Sequence, residues 1–147
     1  MSTNNKKIVH LHLGNENYKT VMTAGRHELI SDEPKSAGGQ DTGPDPYDYL
    51  LMSLGSCTVI TLKMYADRKN WPLEDIYVEM LHHKSHAEDC KDCDDPKAKI
   101  DKIEKAIIIK GDLTEKQLQR LMEISKKCPV HRTLLNDIDI DTEIEKR

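Results

Sequence analysis

A chain of 147 residues is long enough for one domain and short for two, and residues 1–147 are read as a single domain. Charged residues make up 33% against 37% apolar, with no Phe and one Trp, so the core is lean and burial against a second copy would help to complete it. Net charge is −4 with no basic stripe, which argues against nucleic acid. Residues 1–7 lack the apolar run of a signal peptide, and residues 49–62 are too short and too rich in Ser and Thr to span a membrane, so a cytoplasmic location is expected.

The first thirty residues read as strands. Val9, Leu11 and Leu13 alternate with His10 and His12, Gly14 and Asn15 offer a turn, residues 18–22 resume the extended pattern, and residues 26–30 form a third short strand. Residues 32–46, rich in Pro and Gly, form a loop. Asp45 and Pro46 then open a helix predicted to run to about Asn70, with Leu50, Leu54, Cys57, Thr61 and Met64 on one face. Gly55 costs such a helix roughly 1 kcal/mol relative to Ala. Close approach of another backbone is the expected return.

Ile76, Val78 and Met80 alternate as a strand leading into His82 and His83, residues 84–100 read as an irregular polar stretch, and residues 106–109 as a buried strand. Thr114 and Gln117 form a capping-box pattern for a second helix whose inner face carries Leu118, Leu121, Met122 and Ser125, with Cys128 continuing the stripe. Pro129 begins a short helix or turn. Ile138, Ile140, Thr142 and Ile144 alternate with acidic residues as a final strand. The order is that of an α+β domain with a mainly antiparallel sheet.

In a reducing compartment the four cysteines are expected to be catalytic, metal-binding or buried. Cys128 precedes a helix-starting proline and lies among Lys126, Lys127, His131 and Arg132, surroundings that favour a thiolate. Cys57 sits mid-helix on an apolar stripe, where burial raises a thiol pKa unless a cation approaches. Both positions also suit plain core cysteines. Cys90 and Cys93 form a C-x-x-C close to His82 and His86; these four are candidate zinc ligands, against the blander reading of a solvated acidic loop.

Two segments carry a family resemblance. Gly38-Gly39-Gln40-Asp41-Thr42-Gly43-Pro44-Asp45-Pro46-Tyr47-Asp48-Tyr49-Leu50-Leu51, followed by Leu54-Gly55-Ser56-Cys57-Thr58, resembles the first signature of the OsmC/Ohr family, and Lys127-Cys128-Pro129-Val130-His131-Arg132-Thr133-Leu134 resembles the second. The resemblance implies an OsmC-like fold, a curved antiparallel sheet around a long central helix, in an intertwined homodimer with active sites at the subunit interface. It implies that Cys57 is the peroxidatic cysteine of an organic hydroperoxide reductase and Cys128 the resolving one. Cys57 would become a sulfenic acid and condense with Cys128 to a disulfide, which a dithiol or small thiol then reduces; no metal or organic cofactor is required.

Two departures bear on mechanism. The family's peroxidases carry a Glu after the motif proline where this chain has Tyr47, and Asp48, the nearest carboxylate, is half a helical turn out of phase with Cys57. For the arginine that holds the family's thiolate, Arg26 is the candidate and Arg132 the alternative. The competing readings are a non-enzymatic protein of this fold that binds a small ligand or zinc, and a redox sensor.

Overall fold

The computed structural model describes residues 6–86 and 99–147. It is an α+β structure with antiparallel sheets, as the order of elements predicts, and divides into two compact units that meet in sequence between Leu50 and Leu51.

In the N-terminal unit, β1 (His10–Leu13), β2 (Thr20–Ala24) and β3 (His27–Ser31) form an antiparallel sheet in that order. The glycine-rich segment after β3 closes around Asp32. This buried carboxylate accepts hydrogen bonds from the amides of Glu33 (2.7 Å) and Thr42 (3.1 Å) and from the Thr42 hydroxyl (2.5 Å). These bonds, the Thr42 hydroxyl foremost, hold its pKa below the usual 3.8 against the opposing effect of burial. A Cβ at Gly39 would lie 2.0 Å from the Glu33 carbonyl oxygen and one at Gly43 2.4 Å from that of Ile30, so only glycine fits either position. Tyr49 donates its hydroxyl to the Ile30 carbonyl (2.6 Å), tying β3 to the first turn of the helix that follows the loop. Much of the first motif is therefore explained by backbone packing.

Helix α1 (Pro46–Arg68) begins where Pro46 predicts. By length and composition alone it is just apolar enough to cross a membrane, a test that the core helix of a folded domain also passes. Its buried side chains, however, join a protein core. The buried stripe is Leu54, Thr58, Leu62 and Tyr65 with Gly55 and Ala66, one residue around from the predicted face, and Met64 is 68% exposed. Apolar residues occur nearly all round this helix, so periodicity cannot choose between adjacent stripes; packing chooses. What approaches Gly55 is the side chains of Met80 and Val78, not another backbone.

In the C-terminal unit, β4 (Leu73–His86) and β5 (Lys99–Gly111) form a long antiparallel pair, with a register irregularity near Leu73. Residues 84–86 and 99–100, predicted irregular, belong to these strands: the ladder pairs Lys84 with Asp101 and His86 with Lys99. The run 106–109 is not buried on both faces. Ile107 and Ile109 turn inward while Ile108 is 67% exposed, because helices cover only one side of the pair.

Helix α2 (Glu115–Ser125) starts with both hydrogen bonds of the Thr114–Gln117 capping box. Leu121, Ile124 and Ser125 are buried; Met122, placed on the inner face by the sequence, is exposed. Leu62, Tyr65, Ala66, Leu73, Leu121 and Ile124 form the core of this unit. Helix α3 (Pro129–Leu135) follows. The predicted last strand is absent: residues 137–147 have no regular structure, with Ile140 78% and Ile144 100% exposed. Alternation marks a segment able to pair, and a strand forms only where a neighbour completes its ladder; among the described residues the tail has none.

Candidate active site

Cys57 and Cys128 meet in the C-terminal unit although 71 positions separate them. Helix α1 presents Cys57 and, next to it, the fully buried Thr58, while the turn between α2 and α3 brings Cys128 to them. Cys57 is close enough to the Cys128 sulfur for its thiol to help lower the Cys128 pKa. Cys128 is 0% exposed, whereas Cys57 is half-buried and reachable.

Cys128 is the N-cap of α3, with Pro129 at the first helical position. Its sulfur accepts the His131 amide (3.3 Å) and lies 3.7 Å from the Thr58 hydroxyl. Burial pushes this thiol pKa up. The His131 amide, the Thr58 hydroxyl, the Cys57 thiol and the positive charge of Lys105 together outweigh it, so the net displacement is below the ordinary value of 9.0.

Lys105 was not anticipated from the sequence. It projects from the inward face of β5, and its ammonium donates to Thr58 Oγ1 (3.1 Å), the Ser125 carbonyl (3.0 Å) and His131 Nδ1 (2.9 Å). Those three contacts use all three ammonium donors. Burial pushes the Lys105 pKa down, and the charges of Cys128 and then Cys57 pull it back. His131, accepting at Nδ1, is neutral and carries its proton on Nε2; burial, then Lys105, then Lys126 hold its pKa below 6.5. One signal was available. In the alternation of Ile103, Lys105, Ile107 and Ile109, Lys105 is a cation at an inward position, and such a residue is rarely buried without partners.

Of the other predicted residues, Asp48 and Arg26 belong to the N-terminal unit. Asp48 is in the first turn of α1, where it accepts the Asp45 amide (3.1 Å) while Asp45 accepts its own (2.8 Å), a reciprocal cap. Arg26 lies in the β2–β3 turn of the N-terminal unit, and Arg132 is exposed on α3. Of the four zinc candidates, His82 bonds Asp101 through Nε2 (2.8 Å), while Cys90, Cys93 and the side chain of His86 lie outside the described residues. Among the described residues no cluster of three metal-ligating side chains occurs.

Fold and site define a paired-cysteine α+β protein. The family model described as OsmC-like protein matches residues 38–143, and the chain belongs to that family. Solved structures are similar in fold. An OsmC like protein from Mycoplasma pneumoniae superposes with a TM-score of 0.72 at 19% identity, over 90% of this chain and 89% of that one. The organic hydroperoxide resistance protein OsmC from Legionella pneumophila gives 0.63 at 18% identity over 88% of each chain. The organic hydroperoxide resistance protein OhrB of Bacillus subtilis gives 0.61 at 18%, over 93% of this chain and 96% of its own. No curated protein matches the sequence.

Proposed function

We propose that this chain is a thiol-dependent peroxidase that reduces organic hydroperoxides. The observation that carries the reading is the contact between a reachable Cys57 and a buried Cys128 whose thiol is acidified by its surroundings. Family membership and the names of the Legionella and Bacillus proteins support the substrate class.

Cys57, the more accessible sulfur, is the peroxidatic residue. Its proton passes to the neighbouring Cys128 sulfur, and the Cys57 thiolate attacks the terminal oxygen of the hydroperoxide. The O–O bond breaks, the alkoxide takes a proton and leaves as alcohol, and Cys57 becomes a sulfenic acid. The Cys128 sulfur, deprotonated again, attacks the Cys57 sulfur, and hydroxide leaves and is protonated to water. The peroxide has gained two electrons and the thiol pair has lost two. A dithiol or small thiol restores the pair by exchange.

The chain works as a single-domain subunit of a homodimer. The exposed apolar side chains Met52, Ile60 and Met64 on α1 and Ile138, Ile140 and Ile144 in the tail supply surface for a second copy. A reducing compartment such as the cytoplasm keeps the pair reduced between cycles.

The test is titration of the reduced protein with one equivalent of cumene hydroperoxide, following free thiols and intact mass. Loss of two thiols with a mapped Cys57–Cys128 disulfide is expected, and Cys57→Ser should abolish peroxide consumption. Oxidation of neither cysteine faster than a free thiol in solution would sink the reading.

A further inference from the structure

We propose that Lys105 is the positioning cation of the dithiol centre. From β5 its ammonium fixes Thr58 Oγ1 and His131 Nδ1 around the sulfurs and balances the negative charge that the pair carries. The inference deepens the peroxidase reading and rests on it for its catalytic consequence, though not for its effect on the thiols.

The argument begins with the cost of the residue. A lysine on the inward face of a strand, between Ile103 and Ile107, loses much of its hydration, and an apolar residue there would extend the core without that penalty. Lys105 meets that cost with three hydrogen bonds, drawn from α1, from the end of α2 and from α3. It thereby links the element carrying Cys57 to the two that flank Cys128. Its bond to the Ser125 carbonyl fixes the last turn of α2, three residues before Cys128.

The chemistry of the contacts agrees. Thr58 has a single hydroxyl proton and two acceptors for it, the Leu54 carbonyl at 2.8 Å and the Cys128 sulfur. Lys105 occupies a lone pair of that hydroxyl, so the oxygen accepts from the ammonium while its proton remains free to turn to a thiolate. His131 accepts from Lys105 through its ring and donates to Cys128 through its amide, so a single residue connects the cation to the sulfur. The titratable groups facing Lys105 are Cys57 from α1, Cys128 ahead of α3, and His131 on α3; Lys126 adds positive charge near His131. Across the ladder, β4 opposes Lys105 with Met80, which is uncharged. In this cluster, negative charge can arise only on the two sulfurs.

The experiment compares Lys105→Met and Lys105→Arg with the parent in a Cys90→Ser/Cys93→Ser background, so that only the pair titrates. Thiolate formation is followed by ultraviolet absorbance against pH, with circular dichroism and melting as checks on folding. Lys105→Met is expected to move thiolate formation to higher pH and to slow oxidation by cumene hydroperoxide at neutral pH about tenfold for each unit moved. Lys105→Arg, which keeps the charge, should recover part of both losses. A folded Lys105→Met protein with the parent's thiolate profile overturns the proposal. If that variant does not fold, the Lys105 side chain is titrated by NMR in the parent and in Cys57→Ser/Cys128→Ser. Loss of the thiols should make the ammonium easier to deprotonate, and an unchanged titration overturns the proposal. A parent inert to hydroperoxide whose thiolate profile still responds to Lys105→Met supports the role of Lys105 while refuting the peroxidase reading.

Discussion

Replacing Gly55 with Ala sets two opposing effects against each other, and the structure decides the sign. In a helix interior, Gly is less favourable than Ala by roughly 0.5–1 kcal/mol, so the substitution gains that amount. The added Cβ would meet Met80 Cγ at 3.3 Å, Val78 Cγ1 at 3.5 Å and Met80 Sδ at 3.7 Å. Only the first contact is tight, and it is with an unbranched side chain that can move by a few tenths of an ångström. A shift of a few tenths of an ångström needs far less than the ~30° torsion that costs about 0.5–1.5 kcal/mol, so the adjustment is put at less than about 0.5 kcal/mol. Gly55→Ala should therefore be stabilising, by about 0.5 kcal/mol. Gly55→Val, with two further carbons and a β-branch, should overpack the same spot and destabilise by about 1–3 kcal/mol. Denaturant unfolding of both variants checks this, with midpoints compared at constant slope. A loss of more than about 1 kcal/mol for Gly55→Ala would refute the reasoning and place something less yielding than Met80 against the glycine, such as a helix of a second copy.

Two further outcomes are expected. Thr114→Ala removes one half of the capping box on α2 and should cost about 1 kcal/mol, or a fall in melting temperature of about 2–4 °C; an unchanged melting temperature would show the cap to be redundant. His131 has a folded-state pKa below its ordinary 6.5, so between the two values the unfolded chain binds more protons than the folded one. Stability should fall as pH drops through that window, and that increment should vanish in His131→Asn. Denaturant unfolding at pH steps from 7.5 downward measures it, and an equal slope in both proteins would contradict the assignment.

The elements that follow local rules were legible in the sequence: the Pro46 helix start, the Thr114–Gln117 box, and Cys128 ahead of Pro129 each depend on neighbours a few residues away. The two cysteines of the site were legible as a pair only through the family motifs, since nothing in their spacing brings the sulfurs together. Lys105 was missed because its meaning depends on which face of β5 is covered, and that is set by α1 and α2. The same limit moved the buried face of α1 by one residue and hid the exposure of Ile108. The tail failed in the opposite direction. Its alternation is the cleanest in the chain, yet pairing is a property of two segments and one sequence pattern describes only one of them.

Cys128 does two jobs with one atom. Its sulfur is a member of the thiol pair and also the acceptor that receives the first turn of α3 through the His131 amide. A thiolate is a strong acceptor in that position, and a disulfide sulfur, having lost its charge, is a weak one. On the proposed peroxidase chemistry, each oxidation of the pair would loosen the start of a seven-residue helix, and each reduction would tighten it. The redox state would then be written into backbone mechanics as well as sulfur chemistry, with the His131 amide as its gauge: it should exchange its hydrogen more slowly in the reduced protein than in the oxidised one.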